Sequence, residues 1–212
     1  MNKSINQEIV TFYDVPLVCG SAPSIGCGSR AKPLLLDLER QSAIKEVWLN
    51  RTGKMVAIVW RDEPRMEEAG KPVFKRHEVD CRERLADPQT TQSFPMEGSW
   101  LRSGDVDRLS LEEAQEIAET LVALPAKERL ISSEEAARIK SEIEAYFRKE
   151  LIKVRSKQEL LDDTRGMFPE AVLDIYKKHV GAQRIAGVRA LAPEIQSAFN
   201  RTDPEETSSC CS

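Results

Sequence analysis

The sequence predicts an α+β protein, because strand-like and helix-like patterns occupy different halves of the chain. In the front half, two β-rich runs between Ile44 and Trp60 flank a short polar Gly turn, which is typical of a β-hairpin. In the back half, from Ser110 onward, apolar residues recur at helical spacing. A turn-forming stretch rich in Ser, Thr, Gln, Pro and Gly separates the two halves.

We therefore predict a β-containing domain over 8–86, a linker over 87–108, a helical region over 109–200 and a disordered tail over 201–212. The net charge of -4 and the lack of a basic stripe with aromatic residues argue against nucleic-acid binding. No apolar run is long enough to span a bilayer, and the polar, acidic N-terminus predicts a cytoplasmic protein without membrane contact. The odd count of 5 cysteines argues against a disulfide framework.

A loop of small residues joins the first predicted strand, Val15 to Val18, to the first predicted helix. The β-rich run from Glu8 to Tyr13 is predicted to extend or flank that strand. The loop begins at Cys19 and carries Cys27 near its end. The helix is predicted by apolar residues at i, i+1 and i+4, which are Leu34, Leu35 and Leu38.

Cys27 is the main candidate for chemistry. It lies just before the predicted helix, where the helix dipole and unpaired N–H groups favour a thiolate. Arg30 and Lys32 add positive charge, with Ser29 beside them, and the glycines on both sides of Cys27 are expected to leave the sulfur accessible. A thiolate is both a nucleophile and a soft-metal ligand. The alternative is a small buried side chain in a structural turn.

The order of strand, cysteine loop, helix and hairpin resembles a heavy-metal-associated domain, the ferredoxin-like βαββαβ module of copper chaperones, metal-pumping ATPases and mercury-binding proteins. Cys27 stands where that family has the second cysteine of its Cys-x-x-Cys motif, and Ala43 to Asn50 matches the start of its hairpin. Ser24 stands at the first cysteine position, and the nearest other thiol is Cys19. The resemblance implies a ferredoxin-like fold and a metal site at Cys27. Cys19 is the candidate second ligand because it is the nearest other thiol.

The remainder of the front domain is less regular. The run from Val73 to Val79 alternates and predicts the fourth strand, whereas Met66 to Ala69 is too short for the second helix of the family. Cys81 follows His77 by four residues, but a zinc site needs more ligands, so we interpret both as structural.

Three Ser-x-x-Glu patterns predict helix starts by the capping-box rule. They begin at Ser110, Ser132 and Ser156, and each precedes apolar residues at helical spacing. The first helix is predicted to end at Pro125, and a later one at Gly181, which suits the left-handed C′ position. The glutamates that follow Ser110 are interpreted as solvated.

The tail carries Cys210 and Cys211. Its terminal Cys-Cys pair resembles that of the mercuric reductase family, which uses such a pair to pass metal to the active site. Two thiols on a flexible segment can bind a soft ion and deliver it by ligand exchange. A chance doublet is the alternative.

Three hypotheses follow. The first is a cytoplasmic protein that binds or traffics copper(I), mercury(II) or zinc through Cys27, Cys19 and the pair Cys210–Cys211. Its partner would be a metal donor or acceptor protein, or a second copy through the helical region. The second is a thiol-based redox sensor or enzyme with Cys27 as nucleophile, although no acid–base partner is visible, so a binding protein is expected rather than an enzyme. The third is a degenerate interaction module that binds no metal.

Overall fold

The computed structural model describes residues 9–20, 22–85, 88–96, 98–154 and 170–200, and it confirms the α+β class. The chain forms two compact units. We call Met1–Val18 with Ser24–Leu109 the sheet unit, and Cys19–Pro23 with Ser110–Ser212 the helical unit.

The sheet unit contains a five-stranded sheet in the order β4-β1-β3-β2-β5, in which every neighbouring pair is antiparallel. Its strands are β1 (Ile9–Asp14), β2 (Ile44–Asn50), β3 (Met55–Trp60), β4 (Arg82–Arg84) and β5 (Trp100–Arg102). The predicted hairpin is therefore β2–β3. β1 occupies the β-rich run predicted to extend or flank the first strand, whereas Val18 of the predicted strand forms only an isolated bridge with Gly26.

The helical segments of the sheet unit are α1 (Gly28–Glu39), a π-helical turn (Met66–Gly70), α2 (Lys71–Arg76) and α3 (Pro88–Ser93). The predicted strand over Val73 to Val79 is wrong, since it coincides largely with α2. Ala69, Val73 and Phe74 are buried at i, i+4 and i+5, a helical spacing that a window beginning at Val73 misses. The stretch 87–108, predicted as a linker, contains α3 and β5.

Both faces of the sheet are covered by apolar side chains. On one face Phe12, Ala57 and Trp100 form a buried cluster, and the ring of Phe94 lies 5.2 Å from that of Trp100. On the other face Tyr13 meets Phe74 of α2 at 6.3 Å between ring centroids. This alternation follows from the two-residue period of a strand.

The helical unit is built from amphipathic helices whose apolar faces form one core. They are α4 (Asp107–Lys127, of which the helical unit includes the residues from Ser110), α5 (Ser133–Leu151), α6 (Glu170–Val180), α7 (Ala182–Ala190) and α8 (Ala192–Asn200). Within the core, the Tyr176 hydroxyl donates a 2.8 Å hydrogen bond to the Leu121 carbonyl. No helix in the described ranges combines the length and apolar character needed to cross a bilayer.

The three predicted helix starts have three outcomes. Ser132 is the N-cap of α5 with a complete capping box, so that prediction is confirmed. The box at Ser110 is wrong, because α4 begins three residues earlier and continues past Pro125. The pattern at Ser156 lies outside the described residues. Gly181 follows the last residue of α6, as predicted, and its φ is +75°. Its ψ of 161° differs from the left-handed helical value, and the residue is also the N-cap of α7.

Candidate functional site

Cys27 is the N-cap residue of α1, as the sequence predicts, but its sulfur is not accessible. The residue is 4% exposed, and its side chain makes no capping hydrogen bond with the described first turn of the helix. Its backbone is fixed on both sides: its N–H donates to Leu17 O at 2.7 Å, and its carbonyl accepts from Ala31 N at 3.0 Å. The main chain, rather than the sulfur, therefore makes the interactions seen at this helix start.

The glycine before Cys27 has a structural cause that differs from the predicted one. A Cβ added to Gly26 would lie 2.9 Å from Cα of Gly53, which itself has φ +72° in the β2–β3 turn. The Gly26 N–H also donates to Arg51 O at 2.8 Å. Gly26 thus allows the cysteine loop to pack against the hairpin turn, which brings two backbones together and does not expose the thiol.

The residues predicted to tune the Cys27 thiolate have other contacts. Arg30 donates to the Pro16 carbonyl at 3.2 Å. Lys32 forms an ion pair with Asp107, which balances its charge, and Ser29 is buried. The described polar contacts of Arg30 and Lys32 are therefore with groups other than the Cys27 sulfur.

Cys19 lies in the helical unit and has a polar neighbour there. It is 1% exposed, and its thiol donates a hydrogen bond to the carboxyl group of Glu113 in α4. Burial raises the pKa of Glu113 to about 7, the thiol hydrogen bond partly opposes this shift, and repulsion from Glu116 adds to it. A thiol and a carboxyl group therefore share a buried environment.

Two polar atoms at this place have no hydrogen-bond partner in the part of the chain that the structure describes. They are Oε2 of Glu113 and Oγ of Ser110. Ser110 precedes Glu113 by three residues on α4, so both lie on one face of the helix. We call Cys19, Ser110 and Glu113 the buried polar site.

The sequence contains a signal for this site, which is the register of Ser110 and Glu113 with the apolar stripe of α4. The capping-box interpretation does not take this register into account. Ser110, Glu113 and Ile117 share the spacing of the apolar stripe, whose other members are Ala114, Ala118 and Leu121. A glutamate in register with buried residues is a candidate for burial, which its identity alone would not suggest.

The remaining predicted thiols do not complete a cluster. Cys210 and Cys211 lie outside the described residues. Cys81 is half-buried, and burial raises the pKa of its thiol, while nearby Lys71 opposes that shift. Cys19, Cys27 and Cys81 form no disulfide with one another. Within the described ranges, no group of three His, Cys, Asp or Glu side chains is arranged to hold a metal ion.

Comparison of the chain with protein-family models, with curated proteins and with solved structures gives no match in any of the three. The resemblance to heavy-metal-associated domains therefore stays a prediction from the residues quoted above.

Proposed function

We propose that the sheet unit is a ferredoxin-like βαββαβ module of the heavy-metal-associated type. The strand order β4-β1-β3-β2 supports this, because that module has the same order with antiparallel neighbours. Helical segments also lie in both crossovers, α1 between β1 and β2, and the π-turn with α2 between β3 and β4. The fifth strand, β5, is an addition at the β2 edge.

We propose further that the protein binds a soft or borderline metal ion through cysteine thiolates. The observation that carries this is the contact of the Cys19 thiol with the Glu113 carboxyl group, since a neighbouring oxygen donor adds to a thiolate site. Both thiols are buried, and Cys27 is a weaker candidate than Cys19 because only Cys19 has a described polar neighbour, the Glu113 carboxyl group. The roles of Cys210 and Cys211 in delivery, and a cytoplasmic location, stay predictions.

Native mass spectrometry of the reduced, full-length protein tests the proposal. The protein is offered copper(I), zinc or mercury(II), one at a time. We expect one specific adduct, lost in Cys19→Ser and reduced in the double variant Cys210→Ser/Cys211→Ser. Cys81→Ser is the matched control, since Cys81 is a thiol of the sheet unit outside the proposed ligands. Failure of all three ions to bind the unaltered protein would contradict the proposal.

A second candidate function is a module that binds another protein and no metal. The burial of Cys27 favours it, because the family position for metal capture is then closed to solvent. Exposed Leu85 and Met96 in the sheet unit are apolar side chains of the kind that partners cover. Under this alternative, replacing all 5 cysteines by serine leaves partner binding unchanged and no ion is retained.

The redox-enzyme hypothesis has less support. A nucleophilic sulfur has to reach its substrate, and Cys27 is 4% exposed. Rapid alkylation of Cys27 in the folded protein would contradict this assessment.

A further inference from the structure

The 2 histidines of the chain have the same kind of environment. His77 is the C-cap residue of α2, and its Nε2 lies 2.9 Å from Oδ2 of Asp37 in α1. His179 lies in the last turn of α6, and its Nε2 lies 3.0 Å from Oε1 of Glu142 in α5. Each imidazole therefore lies at the C-terminal end of one helix and beside a carboxylate of another helix in the same unit.

We propose that these two pairs are pH-sensitive contacts, in which a protonated histidine holds the end of its helix to the neighbouring helix. Each contact is strongest in mildly acidic solution and weakens as the imidazole loses its proton between about pH 5 and pH 8. We call them the sheet-unit pair, Asp37–His77, and the helical-unit pair, Glu142–His179. The inference goes beyond the proposed metal binding and involves none of its ligands.

Two features of each position favour the charged imidazole. The C-terminal end of a helix carries a partial negative charge, which stabilises a cation there. The carboxylate also accepts a hydrogen bond that is roughly twice as strong from a charged donor as from a neutral one. The side chains of His77 and Asp37 are each 18% exposed and that of His179 is 13% exposed, so solvent screens these contacts less than it screens fully exposed ion pairs.

Permanent cations share the carboxylate of the sheet-unit pair. Asp37 accepts a 2.6 Å hydrogen bond from Arg40 Nη1 in α1, and Arg76 Nη1 at the end of α2 lies 3.4 Å from it. Burial acts to raise the pKa of Asp37, but the hydrogen bond and charge of His77, and then those of Arg40, lower it below its ordinary value. Asp37 therefore stays ionised while imidazole titrates, and His77 is the member of this network that changes charge near neutral pH. Both arginines are largely exposed, so solvent screens their repulsion of the imidazolium.

The helical-unit pair has a stronger competing cation. Lys178 Nζ donates to both carboxylate oxygens of Glu142, at 2.8 and 3.0 Å. The hydrogen bond from Lys178 lowers the pKa of Glu142, burial opposes this shift, and the hydrogen bond from His179 adds to it. Arg138 of α5 lies beside the same pair and forms its own ion pair with Glu134 at 3.6 Å. Because Lys178 keeps its charge near neutral pH, loss of the His179 proton should have the smaller effect of the two.

The backbone at the end of α2 indicates where weakening of the sheet-unit pair is measurable. Glu78, the residue after His77, has φ +52°, a left-handed value that is uncommon for a residue other than glycine. The N–H groups of residues 77–79 donate to carbonyls of residues 73–75 at 3.0 to 3.1 Å and close this end of the helix. These hydrogen bonds should open more often when the side chain of His77 holds the helix end less tightly, and amide hydrogen exchange detects such local opening.

Amide hydrogen exchange, measured residue by residue by NMR on the reduced protein, tests the proposal. A variant and the unaltered protein are compared at the same pH, so that the intrinsic pH dependence of exchange cancels. His77→Gln keeps a hydrogen-bond donor but carries no titratable charge. We expect its amides 77–79 to exchange roughly twofold to tenfold faster than those of the unaltered protein at pH 5.5, and at nearly the same rate at pH 8.

The helical-unit pair provides a reciprocal control. His179→Gln should accelerate exchange of the Gly181 amide, which donates to Lys177 O at 3.1 Å, and by a smaller factor because Lys178 still binds Glu142. Amides 77–79 should not respond to His179→Gln, and the Gly181 amide should not respond to the variant at residue 77, since the two pairs lie in different units.

Arg76→Gln is the matched control within the sheet-unit pair. It removes another cation from the same carboxylate, but a guanidinium does not titrate in this range, so any acceleration should be the same at both pH values. Asp37→Asn removes the carboxylate itself and should abolish the difference in protection of amides 77–79 between pH 5.5 and pH 8. Circular dichroism verifies that each variant keeps its helices, and Asp37→Asn carries the test if His77→Gln does not fold.

The pH dependence separates this inference from a purely structural role. If His77→Gln accelerates exchange equally at pH 5.5 and pH 8, or at neither, the contact does not depend on the charge of His77 and the proposal is overturned. An unchanged pH dependence in Asp37→Asn would overturn it as well.

Discussion

Two Ser-x-x-Glu segments of the helical unit have the same spacing and opposite environments. At the start of α5, Ser132 Oγ accepts a 3.2 Å hydrogen bond from Glu135 N, and Glu135 Oε2 accepts one of 2.8 Å from Ser132 N. In α4, Ser110 and Glu113 are buried, and neither makes a cap. Because the pattern is the same, its position relative to the helix start decides what it does.

The electrostatic contrast between the two glutamates follows from that position. Glu135 pairs with Arg184 at 2.6 Å, and this hydrogen bond, with that from the Ser132 backbone, lowers its pKa to about 2. Burial instead raises the pKa of Glu113 to about 7. A carboxylate is stabilised at the first site, and its neutral form is favoured at the second.

The largest expected effect is that of Glu113→Gln on metal-free protein. The folded-state pKa of Glu113, about 7, exceeds its unfolded value of 4.5. Ionisation of Glu113 therefore lowers the free energy of unfolding. Its unfavourable contribution grows as the pH rises from 4.5 through 7. At pH 8 we expect Glu113→Gln to be more stable than the unaltered protein by roughly 3 kcal/mol, and near pH 4 by little.

Urea unfolding between pH 4 and pH 8, with a chelator present, measures this difference. Glu116→Gln is the matched control, since it removes a charge from the same helix without removing the buried carboxyl group. A stability difference independent of pH, or one equal to that of the control, would mean that Glu113 is not held in a desolvated state.

The elements that were predictable from sequence are those whose signals are local. The hairpin β2–β3 follows from two β-rich runs and a Gly turn, and α5 from its cap and stripe. The helix at Val73 was missed because its spacing begins at Ala69, beyond a Pro and a Gly that suggest a break. β5 was missed because three residues give no periodicity, although Trp100 is buried.

The candidate site was only half predictable. Cys19 is a candidate from its identity and its position in the loop. Glu113 is interpreted as solvated because a capping box fits its local sequence, although its register with the apolar stripe of α4 indicates burial. What the local sequence does not show is its contact with Cys19, more than 90 residues away along the chain. No local pattern encodes a contact of that separation.

The next effect in size is that of Ser132→Ala. It removes the side-chain acceptor for Glu135 N, and losing an N-cap of this type costs about 1 kcal/mol. Thermal or urea unfolding measures the loss. Ser133→Ala, at the first residue of α5, is the control, and an equal loss there would show that the cap of Ser132 is not what stabilises the helix.

Ser110→Ala should have the opposite sign. The hydroxyl is buried without a described partner, so its removal relieves a desolvation cost, and alanine is also the better helix former. We expect metal-free Ser110→Ala to be as stable as the unaltered protein or more stable by up to about 1 kcal/mol. A loss as large as that of Ser132→Ala would show that the Ser110 hydroxyl has a hydrogen-bonded partner, and the contrast between the two serines would fail.

The smallest expected effect is the acid sensitivity of Glu135, because its ion pair with Arg184 is open to solvent and screened by salt. Its folded pKa of about 2 lies below the unfolded 4.5, so its contribution is present above pH 4.5 and is lost as the pH falls toward 2. Between pH 5 and pH 2, unfolding free energy should therefore fall less steeply in Glu135→Gln than in the unaltered protein. Glu134→Gln, a neighbour that pairs only loosely with Arg138 at 3.6 Å, serves as the comparison.

The two glutamates should therefore affect stability at opposite ends of the pH range. Protonation of Glu135 in acid lowers the free energy of unfolding, and ionisation of Glu113 at higher pH also lowers it. Identical pH profiles for Glu113→Gln and Glu135→Gln would contradict the distinction between a capping and a buried Ser-x-x-Glu segment.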